Sequence, residues 1–94
     1  MKIEWSASAL ADLDRFAAFL RETHPALSAI VGREIIAKAQ VLSKHPRLGS
    51  PAPNRPEYRQ LVMQVLNATY VFRYVLDGER VVMLRVFHSR ENRA

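Results

Sequence analysis

The chain has 94 residues, a formal charge of +5 from fourteen Lys+Arg against nine Asp+Glu, and no cysteine. That length supports a single domain, 1–94, with one modest core, and the absence of cysteine excludes disulfides, thiolate catalysis and cysteine-ligated zinc. A hydrophobic fraction of 49% argues against disorder, and no apolar run approaches the length of a membrane span.

Residues 2–5, Lys-Ile-Glu-Trp, alternate polar and apolar and predict a short first strand, with Trp5 as a packing residue. Ser6 is suited to cap the helix that follows, expected over 7–22, because its hydroxyl can accept from an orphan amide of the first turn. Leu10, Leu13, Phe16, Ala17 and Leu20 make its apolar face, with Asp12, Asp14 and Arg21 elsewhere. Thr23-His24-Pro25 breaks that helix and starts a second, expected over 25–44, whose stripe is Leu27, Val31, Ile35, Ala39 and Leu42. Ile36 lies nearly opposite the stripe and is expected at the surface. The two helices form an antiparallel hairpin. Residues 43–57 hold four of the five prolines and predict a loop. Strands are expected over 58–66, 69–76 and 79–88, with turns at Asn67-Ala68 or residues near it and at Asp77-Gly78. The order is β-α-α-β-β-β, an α+β fold with the helical hairpin packed on a small antiparallel sheet.

A two-residue turn at Asp77-Gly78 sets Leu76 opposite Glu79, Phe72 opposite Met83 and Tyr70 opposite Arg85. One sheet face then carries Tyr70, Phe72, Tyr74, Val81, Met83 and Phe87, and the other Val71, Arg73, Val75, Val82, Leu84, Val86 and His88. The aromatic face is read as core. One helical hairpin covers only one face, so the other is expected to meet another chain or to form a concave groove. The cations are arginine except Lys2, Lys38 and Lys44, and arginine suits bidentate contact with carboxylate or phosphate. An anionic partner is expected, either nucleic acid or an acidic protein. Lys44, Arg47, Arg55 and Arg59 make a second basic group, read as a solvated loop. His24 and His45, each before a proline, are read as structural. The histidines are too far apart for metal-ligand spacing, so no metal or other cofactor is expected.

The chain resembles the RelE/ParE toxin superfamily. The resemblance rests on the short first strand, the helical hairpin, His45-Pro46-x-x-Gly49 at the end of the second helix, the basic Tyr58-Arg59 strand start, and the last hairpin with its His88-Ser89-Arg90 tail. It implies a toxin of a type II toxin–antitoxin pair, neutralised in a hetero-oligomer by a ParD-like antitoxin encoded beside it. With no apolar h-region in Met-Lys-Ile-Glu-Trp-Ser and no membrane-length run, a cytoplasmic location is the default expectation. RelE-like members cut messenger RNA on the ribosome, whereas ParE-like members are associated with poisoning DNA gyrase. Where RelE-like nucleases carry an arginine early in the penultimate strand, this chain has Tyr70. Where they carry a lysine pair, it has Glu57-Tyr58-Arg59-Gln60, and no tyrosine follows Arg90.

The ParE-like reading is therefore preferred, with a ribosome-dependent endoribonuclease, or a relic that only binds antitoxin, as alternatives. RNA cleavage by 2′-OH attack needs proton transfer and charge stabilisation. A nuclease would have only His88, Arg90, Arg59 and Arg85 to supply them. For a gyrase toxin, Arg85, His88 and Arg90 are the expected target-binding residues. Val71, Arg73, Val75, Val82 and Leu84 are the expected antitoxin contacts, with Arg73 paired to a carboxylate.

Overall fold

Ser6 ends the first strand and begins the first helix. Its Oγ accepts from the Ala9 amide at 3.0 Å, the N-cap bond, and donates to the Leu84 carbonyl at 2.9 Å. The computed structural model describes residues 1–91. Its elements are β1 (Lys2–Trp5), α1 (Ala7–Leu20), α2 (Pro25–Ala39), α3 (Val41–Lys44), β2 (Ser50–Ala52), β3 (Arg55–Val65), β4 (Ala68–Asp77) and β5 (Arg80–His88). The five strands form one sheet in the order β1-β5-β4-β3-β2, with β1 parallel to β5 and the other pairs antiparallel. The helical hairpin packs on one face of this sheet, as expected for an α+β fold.

The core is the aromatic sheet face, Tyr70, Phe72, Tyr74, Val81 and Met83, closed by Leu13 and Phe16 of α1 and Val31, Ile35 and Ala39 of α2. Several boundaries differ from expectation. The second helix stops at Ala39, and α3 follows as a separate turn because the Gln40 amide bonds back to the Ala37 and Lys38 carbonyls. Ile36 is half-buried against the core rather than at the surface. Leu10 is 47% exposed whereas Asp12 is 1% exposed, so the buried face of α1 is rotated toward Ala9, Asp12 and Phe16. The proline-rich loop contains β2, which pairs Ser50 with Gln60, and β3 starts at Arg55.

The first hairpin turn lies at Leu66-Asn67, next to Asn67-Ala68, and the last lies one residue beyond its expected place. Leu66 and Asn67 have φ of 51° and 65°, the two positive values of a type I′ turn. A leucine there costs roughly 1 kcal/mol or more, and its packing against the core offsets that strain. The last turn is Gly78-Glu79, closed by Asp77 opposite Arg80, with Gly78 alone at positive φ. Leu76 therefore faces Val81, two residues beyond the expected partner, and an even shift leaves the faces unchanged. The faces then exchange at a bulge. Tyr74 pairs with Met83 but Arg73 pairs with Arg85, so Leu84 is the extra residue on β5. Beyond it Val86 enters the core, Phe87 moves to the opposite face, and Tyr70 faces His88 instead of Arg85.

The His45-Pro46-x-x-Gly49 segment is held by a buried tyrosine. Tyr74 donates its hydroxyl to the Pro46 carbonyl at 2.8 Å and accepts from the Gly49 amide at 2.9 Å. A Cβ at Gly49 would lie 2.8 Å from both the Gln60 carbonyl oxygen and the Tyr74 hydroxyl, so only glycine fits. Tyr74→Phe leaves both backbone groups unpaired and should cost about 1–3 kcal/mol in urea unfolding. Gly49→Ala should cost at least as much, since a backbone carbonyl cannot move aside. Midpoints equal to the parent's would show that this contact does not hold the loop.

Candidate functional site: the charged seam, the tail and the open sheet face

The residues Ala9, Asp12, Leu13 and Phe16 share one helical face at i, i+3, i+4 and i+7 spacing. That spacing carries Asp12 into the seam between α1 and β5. β1 ends opposite Met83, so beyond that point β5 has no strand on its outer side. Asp12 takes the strand's place. Its Oδ2 accepts from the Val86 amide at 2.8 Å and from Arg85 Nε at 2.9 Å, and its Oδ1 accepts from Arg85 Nη2 at 3.0 Å and Arg15 Nη1 at 2.5 Å. Burial works to raise the Asp12 pKa, but the bonds from Arg85, Arg15 and Val86 outweigh it and hold the carboxyl below its ordinary value. The same contacts raise the pKa of Arg85 and Arg15.

Arg15 continues the network into the tail. Its Nη2 donates to both carboxylate oxygens of Glu91, at 3.1 and 2.9 Å. Glu91 Oε1 also accepts from the His88 amide at 2.7 Å, and the Ser89 amide bonds to the Thr69 carbonyl at 2.8 Å. His88 lies on the helix side, edge-on to Tyr70 with centroids 5.2 Å apart. Its Nδ1 accepts from the Arg90 amide at 3.1 Å. Burial, and then the charge of Glu91, push the Tyr70 phenol up. Beside this tail a groove of about 650 Å³ runs between the ends of α1 and β4, with Phe19 at its rim 81% exposed.

These positions correct several expectations. Arg85 does not lie opposite Tyr70 and is not a free cation. It is bound to Asp12 and lies 4.9 Å from the Phe87 ring centroid, which Arg73 approaches at 5.1 Å. His88 and Arg85 both follow the bulge but leave β5 on opposite faces of the sheet, His88 beside Tyr70 and Arg85 beside Arg73. Of the expected antitoxin contacts, Val71, Arg73, Val75 and Val82 occupy the face away from the helices, and Leu84 is the bulged residue. Val71 is itself buried, whereas Val62, its partner on β3, is 62% exposed. The Gln60 amide oxygen, oriented to satisfy both groups, accepts from Arg73. No carboxylate pairs with Arg73 among the described residues.

The nuclease candidates do not converge. Arg59 lies opposite Tyr74 and donates to the Gly49 carbonyl at 2.6 Å and the Arg47 carbonyl at 3.3 Å. His88 lies opposite Tyr70, four residues along β4, or roughly 13 Å at strand rise. At the start of β3, Arg55 pairs with Glu57 at 2.9 Å and stacks over Tyr58. Asp12, Arg15 and Glu91 were not singled out by sequence reasoning. An acid at i−4 from Phe16 on an apolar face was the available signal.

Two helices packed on a five-stranded mixed sheet are the architecture of the RelE/ParE toxins. A family model described as the ParE toxin of the type II toxin–antitoxin system, parDE, matches residues 3–93, and the chain belongs to that family. Solved structures share the fold. A chain of the chromosomal ParDE toxin–antitoxin system of P. aeruginosa is 20% identical over 94% of this chain and 95% of its own, with TM-score 0.77. A YoeB/ParE toxin of Agrobacterium tumefaciens is 17% identical over 94% and 98%, with TM-score 0.53. A conserved hypothetical protein of Helicobacter pylori is 13% identical over 97% of each chain, with TM-score 0.57. No curated protein matches. No helix among the described residues is long and apolar enough to cross a membrane.

Asp12→Ala should destabilise by about 3 kcal/mol, because it removes the shared partner of two arginines and orphans a buried amide. The pH dependence follows from the lowered pKa. Stabilisation by Asp12 is full above the unfolded carboxyl value and is lost as pH falls through the folded one. The parent should therefore lose stability on acidification more steeply than Asp12→Ala, measured by urea unfolding at several pH values. Parallel curves would remove Asp12 from the acid response.

Proposed function

We propose that this protein arrests growth by acting on DNA gyrase in the cytoplasm, and that a ParD-like antitoxin neutralises it in a hetero-oligomer. The observation that carries the gyrase reading over a ribosome-dependent nuclease is the dispersal of the cleavage candidates. Arg59 is committed to loop carbonyls, Arg85 to Asp12, and a ring nitrogen of His88 to the tail backbone. Concerted proton transfer and phosphate stabilisation need groups within hydrogen-bond reach of one another's substrate atoms. The exposed tail residue Arg90, with His88 beside it, is the proposed contact to the target. Arg85 supports it by anchoring β5 to α1.

The antitoxin is proposed to cover the open sheet face. Val75 and Val82 are half-buried there, Val62 is exposed, and Arg73 has no carboxylate partner among the described residues. A carboxylate brought by an acidic chain would complete Arg73 while apolar side chains cover the valines. The chain's charge of +5 favours such a partner.

Two measurements test this reading. The purified protein should inhibit supercoiling by gyrase, and primer extension on ribosome-bound messages should show no codon-phased cuts. Cuts that vanish in His88→Ala or Arg90→Ala would replace the gyrase reading with the nuclease. Arg73→Glu should weaken the antitoxin complex by about 2 kcal/mol or more while arrest persists. An unchanged affinity would remove Arg73 from the interface.

A further inference from the structure

Phe19 is the most exposed large apolar side chain among the described residues, at 81%. It stands in the last turn of α1, three residues after Phe16 and so on a neighbouring part of the helix surface. Phe16 is buried edge-on to Tyr70, with ring centroids 5.1 Å apart, whereas Phe19 takes no part in the core. The fold leaves this ring unused. A single exposed apolar side chain needs no explanation, but Phe19 has apolar company.

The groove at whose rim it stands has an apolar lining. Leu20, Leu27 and Leu66 are half-buried there, beside the buried Phe16 and Tyr70. The opposite wall is the tail, His88 to Glu91. Arg15 ties that wall to α1 through its ion pair with Glu91, so Phe19 and the tail belong to one surface. The charges of the lining do not cancel. Glu91 is taken by Arg15, and Arg90 has no carboxylate partner among the described residues.

We propose that Phe19 and Arg90 together grip the target protein, the ring entering an apolar recess and the guanidinium meeting a carboxylate beside it. This rests on the gyrase reading above and states which surface engages that target and by what chemistry. Aromatic side chains and arginine are the residues enriched where protein interfaces are tightest. An aliphatic lining with one uncommitted arginine does not suit nucleic acid, which is held by many cations along its phosphates. Continuity selects the target over the antitoxin. The groove is bounded by the helices and by His88 and Arg90, already proposed to touch the target, whereas Arg73 and Val62 lie on the open sheet face. A second copy would bring another chain of charge +5.

Three measurements on the purified full-length chain test the proposal: inhibition of gyrase supercoiling, urea unfolding, and titration with the full-length ParD-like antitoxin. Phe19→Ala removes a side chain that the fold leaves in solvent, so its urea midpoint should match the parent's. It should need at least about tenfold more protein for half inhibition, while its Kd for the antitoxin stays within about threefold. Leu10→Ala, an exposed apolar change on the same helix but outside the groove, should inhibit as the parent does. If Phe19→Ala inhibits as well as the parent, the surface is overturned and the gyrase reading stands. An equal loss in Leu10→Ala overturns it too, because the effect would not belong to the groove. A tenfold loss of antitoxin affinity in Phe19→Ala overturns it in favour of an antitoxin seated in the groove, and a lowered urea midpoint returns Phe19 to the fold. A parent that leaves supercoiling untouched sinks the gyrase reading and this surface with it.

Discussion

A buried carboxylate at the junction of helix and sheet organises the charged half of this protein. β1 is too short to run alongside β5 past Met83, and the ladder would otherwise end on an unpaired Val86 amide inside the fold. Asp12 reaches from α1 to accept that amide, and its charge is balanced by Arg85 and Arg15. Burying one ion alone costs several kcal/mol, and it is tolerated when every lone pair has a donor. The bulge at Leu84 belongs to the same joint. It turns Arg85 to the carboxylate and lets Val86 into the core, while the Ser6 hydroxyl ties the Leu84 carbonyl to the start of α1.

The consequences run outward from there. Arg15 is shared between Asp12 and Glu91, so the seam that docks the helix also fixes the tail. Internal pairing uses up some of the excess positive charge and leaves the rest in particular places. Arg85, Arg15 and Arg80 have carboxylate partners, whereas Arg73 on the open face and Arg90 on the tail have none among the described residues. A target contact at the tail and an acidic antitoxin on the sheet face are both consistent with that division. His88 faces the helices beside Tyr70, whereas Arg73 lies on the open face.

Most of the fold was legible in the sequence because apolar periodicity reports directly on burial. The stripe Val31, Ile35, Ala39, Leu42 and the aromatic face of β4 came through even though the last turn was misplaced by one residue. The last hairpin's partners shifted by an even number, which preserves side-chain alternation. The bulge was not legible. Nothing in Met83-Leu84-Arg85-Val86 signals an extra residue, because its cause is the end of β1 and the arrival of α1, elements distant in sequence. For the same reason Arg85 read as a surface cation, and Asp12 read as a solvated acid. The β2 strand was hidden by its prolines, which bar regular pairing on one side only. The family resemblance rested on order and spacing, features that survive errors of one residue, whereas the site depended on contacts between distant segments.

If Asp12 is the joint between α1 and β5, its ionisation and the environment of the Val86 amide must be one event. NMR titration of the Asp12 carboxyl carbon alongside the Val86 amide reads both in the same sample. The structure predicts a carboxyl midpoint below the ordinary aspartate value, with the Val86 amide resonance moving over the same pH range. A midpoint at or above the ordinary value, with the Val86 amide indifferent to it, would contradict the seam.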